Sequence, residues 1–379
     1  MSNSDTYDVI IVGGGLAGLS LAIQLARKQH SVLVLEKESY PKHKVCGEYI
    51  SMESKPFLQR IGIPVDDTDL PIINRLQVTD TRGNEVNEYL PQGGFGISRY
   101  RLDAMLAAVA EQAGARLLTK TKADDIAYAN ELFSVTAKDK TFSAKVVCGT
   151  WGKRSNIDLK LERSFVQAKS KALNNYVGIK YHIRYPWPKD QIGLHNFTEG
   201  YCGISPIEDD KACLCYLTTA ANLQKSGHDI KKMETDVLMK NPWLNKIFNE
   251  ADFLYSAPMA ISQISFQKKE QVLNHILLLG DTAGMITPLC GNGMSMSLHA
   301  AKLAAERVDD FLQKKITRDA LEKSYTAAWK STFNRRVTIG RIVQSNFGKD
   351  LATSLFLKAA NHLPMLRKAL ISGTSGTPF

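Results

Sequence analysis

The residues able to do chemistry fall into three clusters. The first is Gly13, Gly15 and Gly18, a G-x-G-x-x-G placed between the apolar runs Val9-Ile10-Ile11-Val12 and Val32-Leu33-Val34-Leu35. The first glycine lets the chain turn sharply, the second lets backbone approach a pyrophosphate, and the third lets a helix lie close on a strand. The phosphates would then face the unpaired N–H groups and positive dipole end of that helix. Glu36 closes the second run, where a carboxylate accepts hydrogen bonds from a ribose hydroxyl pair and repels a 2′-phosphate. This favours FAD or NAD over NADP. Ala17 and Lys37 lie beside these positions and complete the expected nucleotide contacts.

The second cluster is Cys46-Gly47-Glu48, which follows the structure-breaking Tyr40-Pro41 and sets a soft nucleophile, a permissive backbone and a carboxylate in consecutive positions. A Cys and a Glu in a loop are usually structural; where the loop does chemistry, Cys46 or Glu48 could donate a proton. The third cluster begins with the buried-type run Ile276-Leu277-Leu278-Leu279, which delivers Gly280-Asp281 at its carboxyl end, where ligands of open α/β sheets bind. Pro288 and Gly291-Asn292-Gly293 follow, ahead of a helix expected over 294–311 that starts at Met294. Its N-terminus can face a second electron-rich group.

These clusters need elements to hold them. Residues 8–37 read as a βαβ unit with a helix-period pattern through Leu16, Leu19, Ile23 and Ala26. Residues 74–96 alternate as strands around Thr81-Arg82-Gly83-Asn84, and an amphipathic helix is expected over 102–112, stopped by Gly114. Short strands over 116–120, 124–129, 132–137 and 141–148 suggest a meander that returns to the parallel sheet. From 156 to 271 the runs at 176–183, 200–205 and 212–217 have period two, with a helical stretch at 229–240. From about Thr317 the pattern is helical, with Trp329, Phe333, Val337, Ile339, Val343 and Phe347 in helix-like spacing, then an apolar, basic piece over 355–371 broken near Pro364.

A length of 379 residues allows two domains or one large interwoven one, and 44% hydrophobic with 23% charged residues describes a core-forming chain. The polar, acidic start and the lack of a long apolar stretch predict neither a secretory signal nor a membrane span. Six scattered cysteines fit free thiols in a reducing cytoplasm better than disulfides or a metal site; Cys213 and Cys215 share a strand face, but two further ligands are not apparent nearby. From Lys302 onward fourteen Lys and Arg stand against six Asp and Glu, so most of the formal charge of +10 lies in the tail. That excess suits an acidic ligand, an acidic protein partner or peripheral contact with an anionic membrane, or is simply a solvated helical surface; no nucleic-acid partner is expected.

Taken together, the motifs resemble those of FAD-dependent oxidoreductases of the para-hydroxybenzoate-hydroxylase fold, and most closely the geranylgeranyl-reductase-like branch, over residues 7–310. The resemblance implies an α/β fold: a Rossmann-like FAD-binding domain of the glutathione-reductase type (1–73, 97–155, 272–312), interwoven with an antiparallel β-sheet substrate domain (74–96, 156–271), and a C-terminal helical region (313–379). It implies that Arg99, in Arg-x-x-Leu-Asp, addresses the FAD, that Asp281 bonds the ribityl chain, and that Pro288, Gly291, Asn292, Gly293 and Met294 approach the flavin pyrimidine edge. It also implies a place for Cys46 and Glu48 beside the isoalloxazine. Departures are Thr150-Trp151-Gly152 where hydroxylases carry Asp-Gly, and Tyr201-Cys202-Gly203-Ile204-Ser205-Pro206 where prenyl reductases carry Tyr-x-Trp-x-Phe-Pro. The Trp-x-Trp-x-Ile-Pro of flavin-dependent halogenases is absent. The implied activity is reduction or dehydrogenation of a carbon–carbon bond in a hydrophobic, lipid-like molecule, with NADH or NADPH as external reductant. The alternatives are an FAD-dependent monooxygenase acting on an aromatic or olefin, and an electron-transfer flavoprotein that docks a protein.

Overall fold

The computed structural model describes residues 6–66, 69–167, 175–287, 291–346, 373 and 376–379. The expected contact at Pro288, and with it Cys290, Phe347 and the 355–371 piece, lies outside them. The described strands in chain order are β1 Thr6–Val12, β2 Val32–Leu35, β3 Tyr49–Ser51, β4 Ile72–Thr79, β5 Glu85–Gly96, β6 Arg116–Leu118, β7 Asp125–Ala129, β8 Leu132–Ala137, β9 Lys140–Gly149, β10 Tyr176–Arg184, β11 Gln191–Phe197, β12 Gly200–Ile207, β13 Lys211–Thr219, β14 Asp252–Phe253, β15 Met259–Ile264, β16 Val272–Leu273 and β17 Ile276–Leu278. The helices are α1 Leu16–Arg27, α2 Lys55–Arg60, α3 Arg99–Gln112, α4 Asn156–Lys160, α5 Ser164–Gln167, α6 Ala220–Lys225, α7 Ile230–Asp236, α8 Pro242–Glu250, α9 Gly293–Leu312 and α10 Arg318–Asn346.

Two sheets result. The first runs β16-β17-β9-β1-β2-β6, with β17, β9, β1, β2 and β6 mutually parallel and the β7-β8-β9 meander folded back at one side. Val9, Ile10, Ile11, Leu33 and Val34 are buried because helices cover the sheet, which is why these strands read as continuous apolar runs and not as alternation. The second runs β14-β10-β13-β12-β11-β4-β5-β3, mostly antiparallel, with β15 also paired to β10. One face of it meets Met233, Leu238, Leu244 and Ile247 from the α7–α8 region, and the other looks toward the first sheet.

The boundaries differ from expectation in two places. Residues 1–73 do not all belong with the first sheet, because Tyr49–Ser51 pairs with β5 and β4 already begins at Ile72. Helix α3 starts at Arg99 and not at Leu102, because the Ser98 side chain caps it, accepting from Arg101 N at 3.1 Å.

Helix α10 packs through Leu321, Tyr325, Trp329, Phe333 and Val337, a stripe at helical spacing buried against the nucleotide-side core. The buried Tyr325 hydroxyl donates to Leu278 O at 2.7 Å, fastening this helix to β17. Tyr325→Phe keeps the ring and orphans the carbonyl, so we expect a loss of about 1–2 kcal/mol of stability, read as a lower urea midpoint at unchanged m-value.

Candidate functional site

The first cluster lies where β1 ends. Gly13 has φ +110°, and a Cβ there would fall 2.4 Å from Thr150 O, so neither the turn nor the approach of β9 admits a side chain. A Cβ on Gly18 would fall 2.1 Å from Gly13 O, which sets how closely α1 lies on the strand. Thr150, just ahead of the Trp151-Gly152 pair, turns its hydroxyl onto the carbonyls of Val12 (3.0 Å) and Gly13 (2.5 Å). It closes the strand end.

Helix α1 begins with N-cap Gly15, which supplies no side-chain cap, and carries no acid in its first turn. Two cations point at that open end. A Cβ on Gly15 would be 3.3 Å from Lys44 Nζ and 3.6 Å from Arg99 Nη2. Asp103 positions Arg99 by two hydrogen bonds of 2.8 and 2.7 Å. Lys44 stands 4.0 Å from the same carboxylate. Burial lowers the Lys44 ammonium to about 8, with Asp103 opposing the shift and Arg99 adding to it. Free helix N–H groups, a fixed guanidinium and a tunable ammonium form a fitting cradle for a diphosphate.

Glu36 sits beside this cradle, accepting from Gly14 N at 2.7 Å and Glu38 N at 3.0 Å, with Lys42 at 2.7 Å. Burial pushes its carboxyl up, but Lys44 and Lys42 outweigh that and hold it below its usual range. It is an acceptor, the form a ribose diol requires.

The second cluster lies between the two sheets. Glu48 is fully buried at φ +56°. Its Oε1 accepts from Arg99 N at 2.7 Å and pairs with Lys180 Nζ, while Oε2 lies 2.6 Å from His182 Nε2. Burial raises the carboxyl, yet Lys180 and His182 win and keep it below the usual carboxylate range. At rest Glu48 is a carboxylate with its oxygens occupied, so it could serve as a proton donor only after taking up a proton. Cys46 is half-buried in the same loop, and its carbonyl accepts from Cys213 Sγ at 3.2 Å. The Glu48 carboxylate, a His182 ring nitrogen and Cys213 Sγ come within 4.8 Å of one another, a juxtaposition the sequence does not show. Lys180 already balances that carboxylate.

One cavity of about 880 Å³ joins these places. Gly13, Gly15, Ala17, Glu36, Lys37 and Arg99 line one end; Gly280, Asp281, Gly291, Gly293 and Met294 line its middle, and Cys46 and Glu48 border it. Asn292 is buried as the N-cap of α9, whose first turn carries no acid. Lys269 Nζ donates to Asp281 O at 2.8 Å.

The far wall is the second sheet, where the register sets three rows across β10, β13 and β12: Gly178–Leu217–Tyr201, Lys180–Cys215–Gly203 and His182–Cys213–Ser205. The first row is apolar, and Leu194, Ile264 and Met285 extend it. The last is polar and meets Glu48. Tyr201, Gly203 and Ser205 all line the cavity, so the residues smaller than the expected aromatics leave space there.

Sequence reasoning missed Lys44, Lys180, His182 and Tyr255. The available signal was that Lys180 and His182 fall on the same strand face as Gly178, two polar residues in an otherwise apolar period-two run.

A family model described as an FAD binding domain matches residues 6–328. Conditioned medium factor receptor 1 of Dictyostelium discoideum is 22% identical over 379 residues, covering 93% of this chain and 71% of that protein. A digeranylgeranylglycerophospholipid reductase of Methanosarcina acetivorans is 24% identical over 367 residues, covering 90% of this chain and 85% of the relative. Among solved structures, a flavin-dependent brominase superposes with a TM-score of 0.81 at 18% identity, covering 99% of this chain and 94% of that one, a likeness of fold. No described helix is long and apolar enough to cross a membrane. With a diphosphate cradle, a ribose acceptor and a second helix N-terminus opening on one cavity, and a family match running through all of them, the chain belongs to the FAD-binding-domain family and is an FAD-dependent oxidoreductase.

Proposed function

We propose that the protein reduces or dehydrogenates a carbon–carbon bond of a hydrophobic, lipid-like molecule lying against the second sheet. The observation that carries this reading is the continuity of the cavity from the diphosphate cradle to the apolar row of Leu217, Tyr201, Leu194, Ile264 and Met285. FAD, when bound, supplies two-electron hydride chemistry. Gly13, Gly15, Ala17 and Gly18 at the start of α1, with Glu36, Lys37, Arg99 and Lys44, hold the adenosine diphosphate half. Asp281 would hold the ribityl hydroxyls, and Gly280, Gly291, Asn292, Gly293 and Met294 would set the α9 N-terminus against the flavin, where its positive end would favour negative charge. Cys46 is the proposed proton donor, and Glu48 fixes its loop. The apolar rows orient the substrate and exclude water. The relatives named as reductases of isoprenoid lipids support this choice of substrate class. NADH or NADPH is the proposed source of electrons.

The direct test is anaerobic. Chemically reduced holoprotein mixed with unsaturated polyprenyl lipids should return to the oxidised yellow form, with a saturated product by mass spectrometry. Failure with every unsaturated lipid, together with rapid oxygen consumption and hydroxylation of a phenol, would sink the reading in favour of a monooxygenase.

Space at Gly203 should set substrate size. A Cβ there meets Cys215 O and Leu194 Cδ2 at 3.6 Å and Gly193 O at 3.8 Å, all ordinary contacts, so Gly203→Trp projects into the cavity. We expect about tenfold slower reoxidation by long polyprenyl chains than by short ones, with FAD content unchanged.

The Lys44 ammonium gives FAD binding a pH signature. Protonated below about 8, it pairs with the diphosphate, and as the pH rises through that value the charge is lost before the ligand binds. Fluorescence titration of apoprotein should therefore show FAD affinity falling above pH 8, by up to about tenfold per pH unit. In Lys44→Met the affinity should be lower and flat through that range, and a parallel slope in wild type and variant would exclude Lys44 from the cradle.

A further inference from the structure

We propose that Lys153 is a positioning residue for the reaction, its ammonium holding the Cys46 loop against the cofactor side of the cavity. The inference rests on the reading of Cys46 as proton donor. Three successive carbonyls of that loop are engaged by side chains from three separate elements. Lys44 O accepts from Lys180 Nζ of β10 at 3.1 Å, Val45 O from Lys153 Nζ at 3.0 Å, and Cys46 O from Cys213 Sγ of β13 at 3.2 Å. Two of these donors belong to the second sheet. Of the three, only Lys153 reaches the loop from the first sheet, out of the turn that follows β9.

That turn is itself fixed to the nucleotide side. Thr150 binds the carbonyls of Val12 and Gly13, and Gly152 N donates to the Thr282 hydroxyl at 2.8 Å, next to Asp281. Lys153, Val45, Cys46 and Asp281 all line the same cavity. Lys153 therefore spans from the element that would hold the ribityl chain to the residue before the proton donor, and it fixes the separation between them. Without it the loop would follow the second sheet alone.

The chemistry depends on that separation. As a proton donor, Cys46 loses its S–H bond as a C–H bond forms on the substrate, at the carbon adjoining the one that takes the hydride. The thiolate left behind regains a proton from water once the product leaves. Such a transfer needs the donor held close to the carbon it protonates, and the loop does little to hold it there by itself. Gly47 follows Cys46 directly, and a Cβ on it would meet nothing within 4 Å, so the backbone on that side is free to turn. Lys153 is half-buried and, among the described residues, has no carboxylate within ion-pairing distance, so its ammonium is committed to the Val45 carbonyl. A hydrogen bond from a charged donor is stronger than one between neutral groups. Lys180 is a poorer probe of the same loop, because removing it strands the buried Glu48 carboxylate.

Lys153→Met keeps the stem and removes the ammonium. The first measurement needs no turnover: alkylation of Cys46 by iodoacetamide in the oxidised, FAD-loaded protein, timed by mass spectrometry of its peptide. Losing a charge-assisted tie should let the loop open more often and raise the Cys46 rate about tenfold, with FAD content unchanged and Lys153→Arg close to wild type. The second is anaerobic reoxidation of the reduced holoprotein by geranylgeraniol. Lys153→Met should slow it about tenfold at saturating alcohol with the half-saturating concentration unchanged, since the loss falls on orientation and not on binding. In a Cys46→Ala background the same change should add nothing. An unchanged Cys46 alkylation rate would overturn the inference, as would equal slowing by Lys153→Met with Cys46 present or absent. Should geranylgeraniol fail to reoxidise the wild type, or Cys46→Ala leave the rate untouched, it is the function proposed above that fails, and the alkylation rate alone then decides whether Lys153 holds the loop.

Discussion

The charge on Glu48 is the constraint to which the rest of the molecule is fitted. A carboxylate with no exposure survives only if its partners replace water, and removing one partner of such a pair usually costs about 3–5 kcal/mol. Its partners come from both halves of the molecule. Arg99 N lies at the head of α3 on the nucleotide side, while Lys180 and His182 lie on β10 of the second sheet. Lys180 also donates to Lys44 O at 3.1 Å, which ties the same point to the loop that carries the Lys44 ammonium. The two sheets are thus registered by a few charged groups at their seam, reinforced by Glu208, whose buried carboxylate receives the N–H and hydroxyl of Ser98.

This seam also divides the cavity by polarity. Successive rows of β10, β13 and β12 pass from Gly178–Leu217–Tyr201 to His182–Cys213–Ser205 over four residues of each strand, so one ligand can span an apolar and a proton-bearing environment. Because side chains alternate, the opposite face of the same strands keeps Ile179, Tyr181, Leu214 and Tyr216 for its own core. The polar row can change without disturbing that core, while Lys180 and His182 on the cavity face still balance Glu48 at the seam.

How far the sequence discloses this depends on the range of the interaction. The βαβ unit, the Gly280–Asp281 element and the start of α9 are local patterns, and each lies within a residue or two of where its motif puts it. Arg99 could be singled out only through the resemblance carried by Arg-x-x-Leu-Asp, since the local pattern put the helix start at Leu102. The pairing of Glu48 with residues 132 and 134 positions later has no local trace, so the sequence does not show the resting charge of that side chain. A glutamate in a loop shows its carboxylate but not its partners, and the partners decide its protonation. The same limit hides β11, whose period-two pattern is interrupted by the polar His195 and Asn196, both buried where Thr79 and Asn241 from distant segments meet their polar groups.

The basic C-terminal region is the converse case, in which a composition signal is plain and its use depends on where each cation lies. Several of its cations have partners within the fold. Arg336 pairs with the buried Glu53 at 3.0 Å, Arg341 donates to Phe266 O at 2.9 Å, and Arg318 donates to Lys145 O at 2.8 Å. Helix α10 also stands behind the Asp281 element, with Trp329 so close that a Cβ on Gly284 would lie 2.9 Å from its ring. At the other end of the chain, the Phe379 ring stacks on His299 of α9 at 4.0 Å, and its carbonyl accepts from Arg60. A net charge summed over this region therefore overstates what it can offer to a membrane or an acidic partner. Among the described residues, the cations that face outward, Lys330 and Arg335 among them, are the ones left to act beyond the fold.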